Sequence, residues 1–117
     1  MQYLLLIYDN ESANQANPKT PEEQQAYMGE YFQFTADLKA AGAMLGGEAL
    51  LPTATATTVR VRDGGALHTD GPFAETREQL GGFYFIDVEN LDEALKWAAR
   101  IPTSRTGSVE VRPVMSF

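Results

Sequence analysis

Four ionisable side chains crowd into the ten residues Thr69–Glu78: Asp70, Glu75, Arg77 and Glu78. They flank a Gly71-Pro72 step, which fixes the backbone, and the aromatic Phe73. A link between two strands needs a turn. It does not need three carboxylates and an arginine beside a rigid corner. Asp70, next to an apolar ring and like charges, is a group that could serve as a general base or accept a hydrogen bond from a ligand. The competing role is an Asx-type turn cap, since Asp readily bonds its own backbone beside a Gly-Pro step. Arg77 could clamp a carboxylate or phosphate, with Glu75 and Glu78 setting its position. The same three could instead form a surface ion-pair network reaching Arg60 or Arg112, which contributes about 0–1 kcal/mol per exposed pair.

Glu48 stands in a small, apolar strand-like run, so its carboxylate must be paired or solvated. It either shares a cleft with Asp70 or pairs with an arginine. Glu110 and Arg112 alternate with valines and read as cross-strand partners. His68 is the sole histidine. It lacks an oriented partner in the sequence and reads as an ordinary strand residue.

Other chemistry is set aside by type or spacing. The chain has no cysteine, which excludes disulfides, thiolate catalysis and zinc-cysteine sites. The glycine pairs at 46–47, 64–65 and 81–82 fit neither dinucleotide nor P-loop spacing. There is no Gly-x-Ser-x-Gly elbow, and no loop has hard-cation ligand spacing. Neither a cofactor nor a metal is expected. The formal net charge of −7 disfavours nucleic acid and anionic membranes as partners. No stretch has the length and apolarity of a bilayer span or a signal h-region, so a cytoplasmic protein is expected.

Several elements must position these groups. Tyr3–Tyr8 is continuously apolar and reads as a strand buried on both faces. Residues 9–21 read as a loop. Thr20-Pro21-Glu22-Glu23 is a capping-box helix start. Tyr27, Tyr31, Phe34, Leu38 and Ala41 follow at helical spacing as a core stripe, and Gly42 stops the helix. Strands are expected at 43–51, 55–62, 66–69, 82–88 and 109–112. Asp63-Gly64-Gly65 is a hairpin turn. A second helix begins at Asn90, lines one face with Leu91, Ala94, Leu95, Ala98 and Ile101, and ends at Pro102. Trp97 belongs to the core or an interface.

The 117 residues fit one domain spanning 1–117. The order strand, helix, several strands, helix, strand predicts an α+β, ferredoxin-like antiparallel sheet with two helices on one face. The other face is then an apolar patch larger than soluble monomers expose. A two-fold homodimer packed sheet to sheet would cover it.

Taken together, Thr69 through Phe83, Gly47-Glu48-Ala49-Leu50, Leu91-Asp92-Glu93-Ala94 and Gly107–Pro113 resemble the DGPF subfamily of YCII-related proteins, nearly end to end. The resemblance implies a dimeric α+β barrel. It also implies a possible signalling link, because relatives occur beside alternative sigma factors of RNA polymerase. The histidine and aspartate proposed as a catalytic pair in the broader family align near Tyr31 and Ala40. That pair does not carry over, although Asp37 lies within a turn of the second position. Two functions are expected to compete. One is a cofactor-free enzyme acting on a small molecule, with Asp70 as proton-transfer group, Arg77 as anchor, and Glu48, Phe73, Glu75 and Glu78 lining a cleft at the dimer interface. The other is a non-catalytic regulatory or ligand-sensing module with a protein partner.

Overall fold

The computed structural model describes residues 1–117. Four strands form the main sheet: β1 (Gln2–Asp9), β2 (Met44–Ala49), β5 (Gln79–Asp87) and β6 (Ser108–Pro113), in the order β2-β5-β1-β6. Every neighbouring pair is antiparallel. With β3 (Thr57–Arg62) and β4 (Gly65–Asp70) left aside, this is the ferredoxin-like order expected from the sequence. The β3–β4 hairpin is a separate two-stranded sheet inserted between β2 and β5. It turns through Asp63 (φ 51°) and Gly64 (φ 77°), the positive-φ pair that hairpin twist favours.

Helices α2 (Pro21–Ala40) and α3 (Leu91–Arg100) cover one sheet face. The start of α2 is locally encoded. Thr20 Oγ1 accepts from the Glu23 amide at 3.2 Å, and Glu23 Oε1 accepts from the Thr20 amide at 3.1 Å. Those bonds from Thr20 hold the Glu23 carboxyl below its usual value. Gly42 ends the helix at φ 70°, where a Cβ would be strained. The core joins Tyr3, Leu5 and Ile7 of β1 and Tyr84 and Ile86 of β5 to Phe34 and Leu38 of α2 and Ala94 and Ala98 of α3. Each large aliphatic chain buried there contributes about 1.5–3 kcal/mol.

Three sequence expectations need correction. Residues 9–21 are not all loop, because α1 (Glu11–Ala16) makes a third helix. Asn10 caps it by accepting from the Ala13 amide at 2.9 Å. Glu11 anchors it, bonding the amide and hydroxyl of Thr53 at 3.0 and 2.7 Å. A six-residue helix held by a partner 42 positions away has no local apolar period to betray it. Next, β1 is not buried on both faces. Tyr3, Leu5 and Ile7 are buried, whereas Leu4 and Leu6 are only partly covered on the outer face. Finally, Leu91 and Leu95 do not line the core face of α3. Both are exposed, and the small Ala94 and Ala98 let the helix approach the sheet. Trp97 packs on the core edge-on to Phe34, with Arg100 4.9 Å from its ring centre.

Candidate functional site

A cavity of ≈ 830 Å³ opens between α2 and the end of the sheet where β2 and β5 meet. Its floor is formed in part by Gly47 and Gly82. Gly82 pairs with Ile7 and Ala49, and Gly47 with Tyr84, so both glycines share the helix-facing side of the sheet. A Cβ on Gly82 would meet the Glu48 carbonyl oxygen at 2.9 Å, and one on Gly47 the Phe83 carbonyl oxygen at 2.9 Å. The strands therefore approach too closely for side chains, and the floor there is bare backbone. Register shifts at Met44/Gly46 and at Ile7/Tyr8 bend these strands beside the cavity. Of the glycine pairs that match no nucleotide motif, one member of two of them, Gly47 and Gly82, has this structural role.

Tyr27, Met28, Tyr31, Phe32 and Thr35 of α2 form the roof, and Asn14, Asn17, Pro18 and Lys19 close one side. Phe32 is 67% exposed at the mouth. The polar groups are tied together. The Tyr27 and Tyr31 hydroxyls lie 2.5 and 2.6 Å from Thr103 Oγ1, and Thr103 is buried. Thr35 Oγ1 and the Tyr84 hydroxyl are 2.8 Å apart. Lys19 Nζ sits 4.3 Å from the Tyr27 ring centre, in cation–π range. Burial pushes the Tyr31 phenol up to about 12, so it remains a neutral O–H donor through the physiological range. Sequence spacing assigned Tyr27, Tyr31 and Phe34 to a core stripe. Phe34 is core, but the two tyrosines also line the cavity. Helical period identifies a buried face and cannot tell a packed face from a hollow one.

The structure does not bring the predicted site residues together. Glu48 borders the large cavity only at the β2 edge: it is exposed and stands opposite Phe83 on the outer sheet face. Glu75 lines a separate hollow of ≈ 300 Å³ with Ser12, Thr53 and Gln79. Asp70, Phe73 and Arg77 line neither. Asp70 ends β4 opposite Thr57 and is exposed. The turn after it is held by backbone: the Gly71 amide donates to Ala56 O at 2.7 Å, and its carbonyl accepts from Thr58 Oγ1 at 2.9 Å. The Asp70 carboxylate itself makes no hydrogen bond there. Arg60 donates to the Phe73 carbonyl at 3.2 Å, and Phe73 is 76% exposed. Glu78 accepts from Ser108 Oγ at 2.7 Å. Arg112 pairs with Glu110 along its own strand, not across strands. The expected network of Glu75, Arg77 and Glu78 with Arg60 or Arg112 does not form. His68 faces Val59 on the exposed hairpin. Asp37 pairs with Arg100, and hydrogen bonds from Gln33 and Arg100 hold its carboxyl low.

A ferredoxin-like sheet with a partly polar cavity beneath its longest helix defines a small α+β domain with one dominant concave site. The model of the YCII-related domain matches residues 1–117, and the chain belongs to that family. An uncharacterised protein of Rhizobium meliloti (strain 1021), R00369, is 41% identical over 119 residues, covering 100% of this chain and 94% of that protein. The fold is shared with 5-chloro-2-hydroxyhydroquinone dehydrochlorinase (TftG) from Burkholderia phenoliruptrix AC1100, solved in complex with 2,5-dihydroxybenzoquinone. That match has a TM-score of 0.51 and 15% identity over 98% of this chain and 94% of TftG. No helix is long and apolar enough to cross a membrane.

Proposed function

We propose that this YCII-related protein, of the DGPF type, binds a small organic molecule in the cavity beneath α2 and does so as a cytoplasmic homodimer. The observation that carries this is the cavity itself. Its ≈ 830 Å³ falls in the range of small-molecule sites, roughly 300–1,000 Å³, and a few polar groups converge on apolar walls. TftG, with the same fold, holds a small oxygenated ring. Titrating a fragment library against isotope-labelled protein tests the reading. Amide shifts should concentrate at Tyr27, Tyr31 and Gly82. Shifts confined to the hairpin and the segment after it would sink it.

The dimer is supported by the outer sheet face, where Leu4, Leu6, Phe83 and Phe85 lie together. The Cα radius of gyration of 16.3 Å also exceeds the ~13.5 Å of a compact chain this long. On this reading the projecting hairpin leaves Asp70, Phe73 and Arg77 free to meet a second copy. Sedimentation velocity should give the mass of two chains, and a single-chain mass would remove the dimer. Turnover without a cofactor is the enzymatic version of the proposal. The regulatory version, with a link to an alternative sigma factor, is favoured only by the acidic surface. Recovery of a stoichiometric protein partner by a cavity-blocked variant would decide for it.

A further inference from the structure

The hydroxyl cluster at the back of the cavity has a proton to spare. Tyr27, Tyr31 and Thr103 carry three hydroxyl protons but share two hydrogen bonds, both at Thr103 Oγ1. Each bond uses one proton. The third makes no further hydrogen bond of ordinary geometry within the group, and all three residues line the cavity. Lys19 stands at the same end over the Tyr27 ring. It takes part in none of the chain's ion pairs, so its ammonium is unneutralised at contact distance. Glu23 feels its charge, but that carboxylate is bonded to the Thr20 amide and lies beyond ion-pair distance. Asp9 already accepts from the Asn10 amide and from Asn14 Nδ2, each at 2.9 Å. Glu48 stands opposite Phe83, so its side chain is on the outer sheet face, away from the helix-facing cavity. An ammonium and a free O–H at one end polarise the site.

We infer that this end of the cavity binds an anionic oxygen, a carboxylate or a phenolate, carried on a small ring that lies against Met28 and Phe32. The inference rests on the cavity being the ligand site, and it adds the ligand's charge and orientation. Lys19 supplies the charge and the spare hydroxyl proton supplies direction. Hydrogen bonds between charged partners are about twice as strong as neutral ones, so charge should dominate selectivity.

Three probes test this against the isotope-labelled full chain: benzoate, 4-nitrophenolate and neutral benzamide. At least one anion should shift the Tyr27, Tyr31 and Gly82 amides and bind about tenfold more tightly than benzamide, a step of about 1.4 kcal/mol. The tighter of the two anions identifies the oxygen's source. Lys19→Met, a change in the segment ahead of the Thr20 cap, should abolish the preference for anions, so that benzoate and 4-nitrophenolate bind no more tightly than benzamide does to the same variant. Equal binding of benzamide in the wild type, or a preference that survives in Lys19→Met, overturns the ligand class and leaves the cavity as the site. No shift at those amides from any probe overturns both.

Discussion

The cavity beneath α2 and the charged segment after the hairpin are both rich in polar side chains, but they hold them differently. In the cavity the hydroxyls of Tyr27, Tyr31 and Thr103 bond one another and stand on a 20-residue helix and a buried turn. In the segment, Asp70, Glu75 and Arg77 are exposed, and the polypeptide is held mainly through backbone contacts at Gly71 and Phe73. The first region pre-positions chemistry. The second presents charge to whatever comes near. Functional groups act when rigid elements lock them within a fraction of an ångström, so density of charge along a sequence is a poor locator of such a site.

The sharpest way to break this contrast is to fill the cavity floor. Gly82→Val should lose about 3 kcal/mol, the upper range for overpacking, and should abolish ligand-induced shifts. Denaturant titration showing wild-type stability would mean the strands are not clamped there. Thr103→Val leaves both tyrosine hydroxyls without their partner and should cost about 2 kcal/mol. A neutral result would detach the cluster from the fold. In the charged segment the largest effect belongs to the backbone. Gly71 sits at φ 94°, and Gly71→Ala should lose about 1 kcal/mol, read by the same titration.

Alkali separates the regions by another route. The Tyr31 phenol titrates near 12 in the fold, against an ordinary 10.0. Burial favours the neutral form, so its contribution is full below pH 10 and is lost as pH rises from 10 to 12. Tyr31→Phe should flatten the pH dependence of stability across that window. An identical slope in variant and wild type would show that the phenol is not shielded. The smallest effect is expected at the most conspicuous residue of the sequence. Asp70→Asn should change stability by no more than about 0.5 kcal/mol, as for other exposed side chains. A loss of about 1–2 kcal/mol would restore the capping role that the sequence favoured.

Much of the scaffold was legible because it is locally encoded. The Thr20–Glu23 capping box, the stop at Gly42, the Asp63-Gly64 turn and the apolar runs of β1 and β5 each follow from residues a few positions apart. Helix α1 was not legible, since its anchor is Thr53 across the fold. The site was only partly so. Glu48 stands out in the sequence but its side chain is on the outer sheet face, and no local pattern marks Lys19. Helical spacing favours a core stripe over a ligand cage for Tyr27 and Tyr31. The available clue was the position near Tyr31, where the resemblance aligned a relative's histidine.

The sequence by itself determined the family, the order of the elements and the ferredoxin-like fold, because hydrophobic period, caps and turn residues act over short range. Only the tertiary structure decided where the hollow lies. Its floor depends on strand pairing that brings Gly47 and Gly82 side by side on β2 and β5. Its polar end depends on Thr103 meeting tyrosines 72 and 76 residues away. Contacts at that separation arise from packing, which no local pattern specifies.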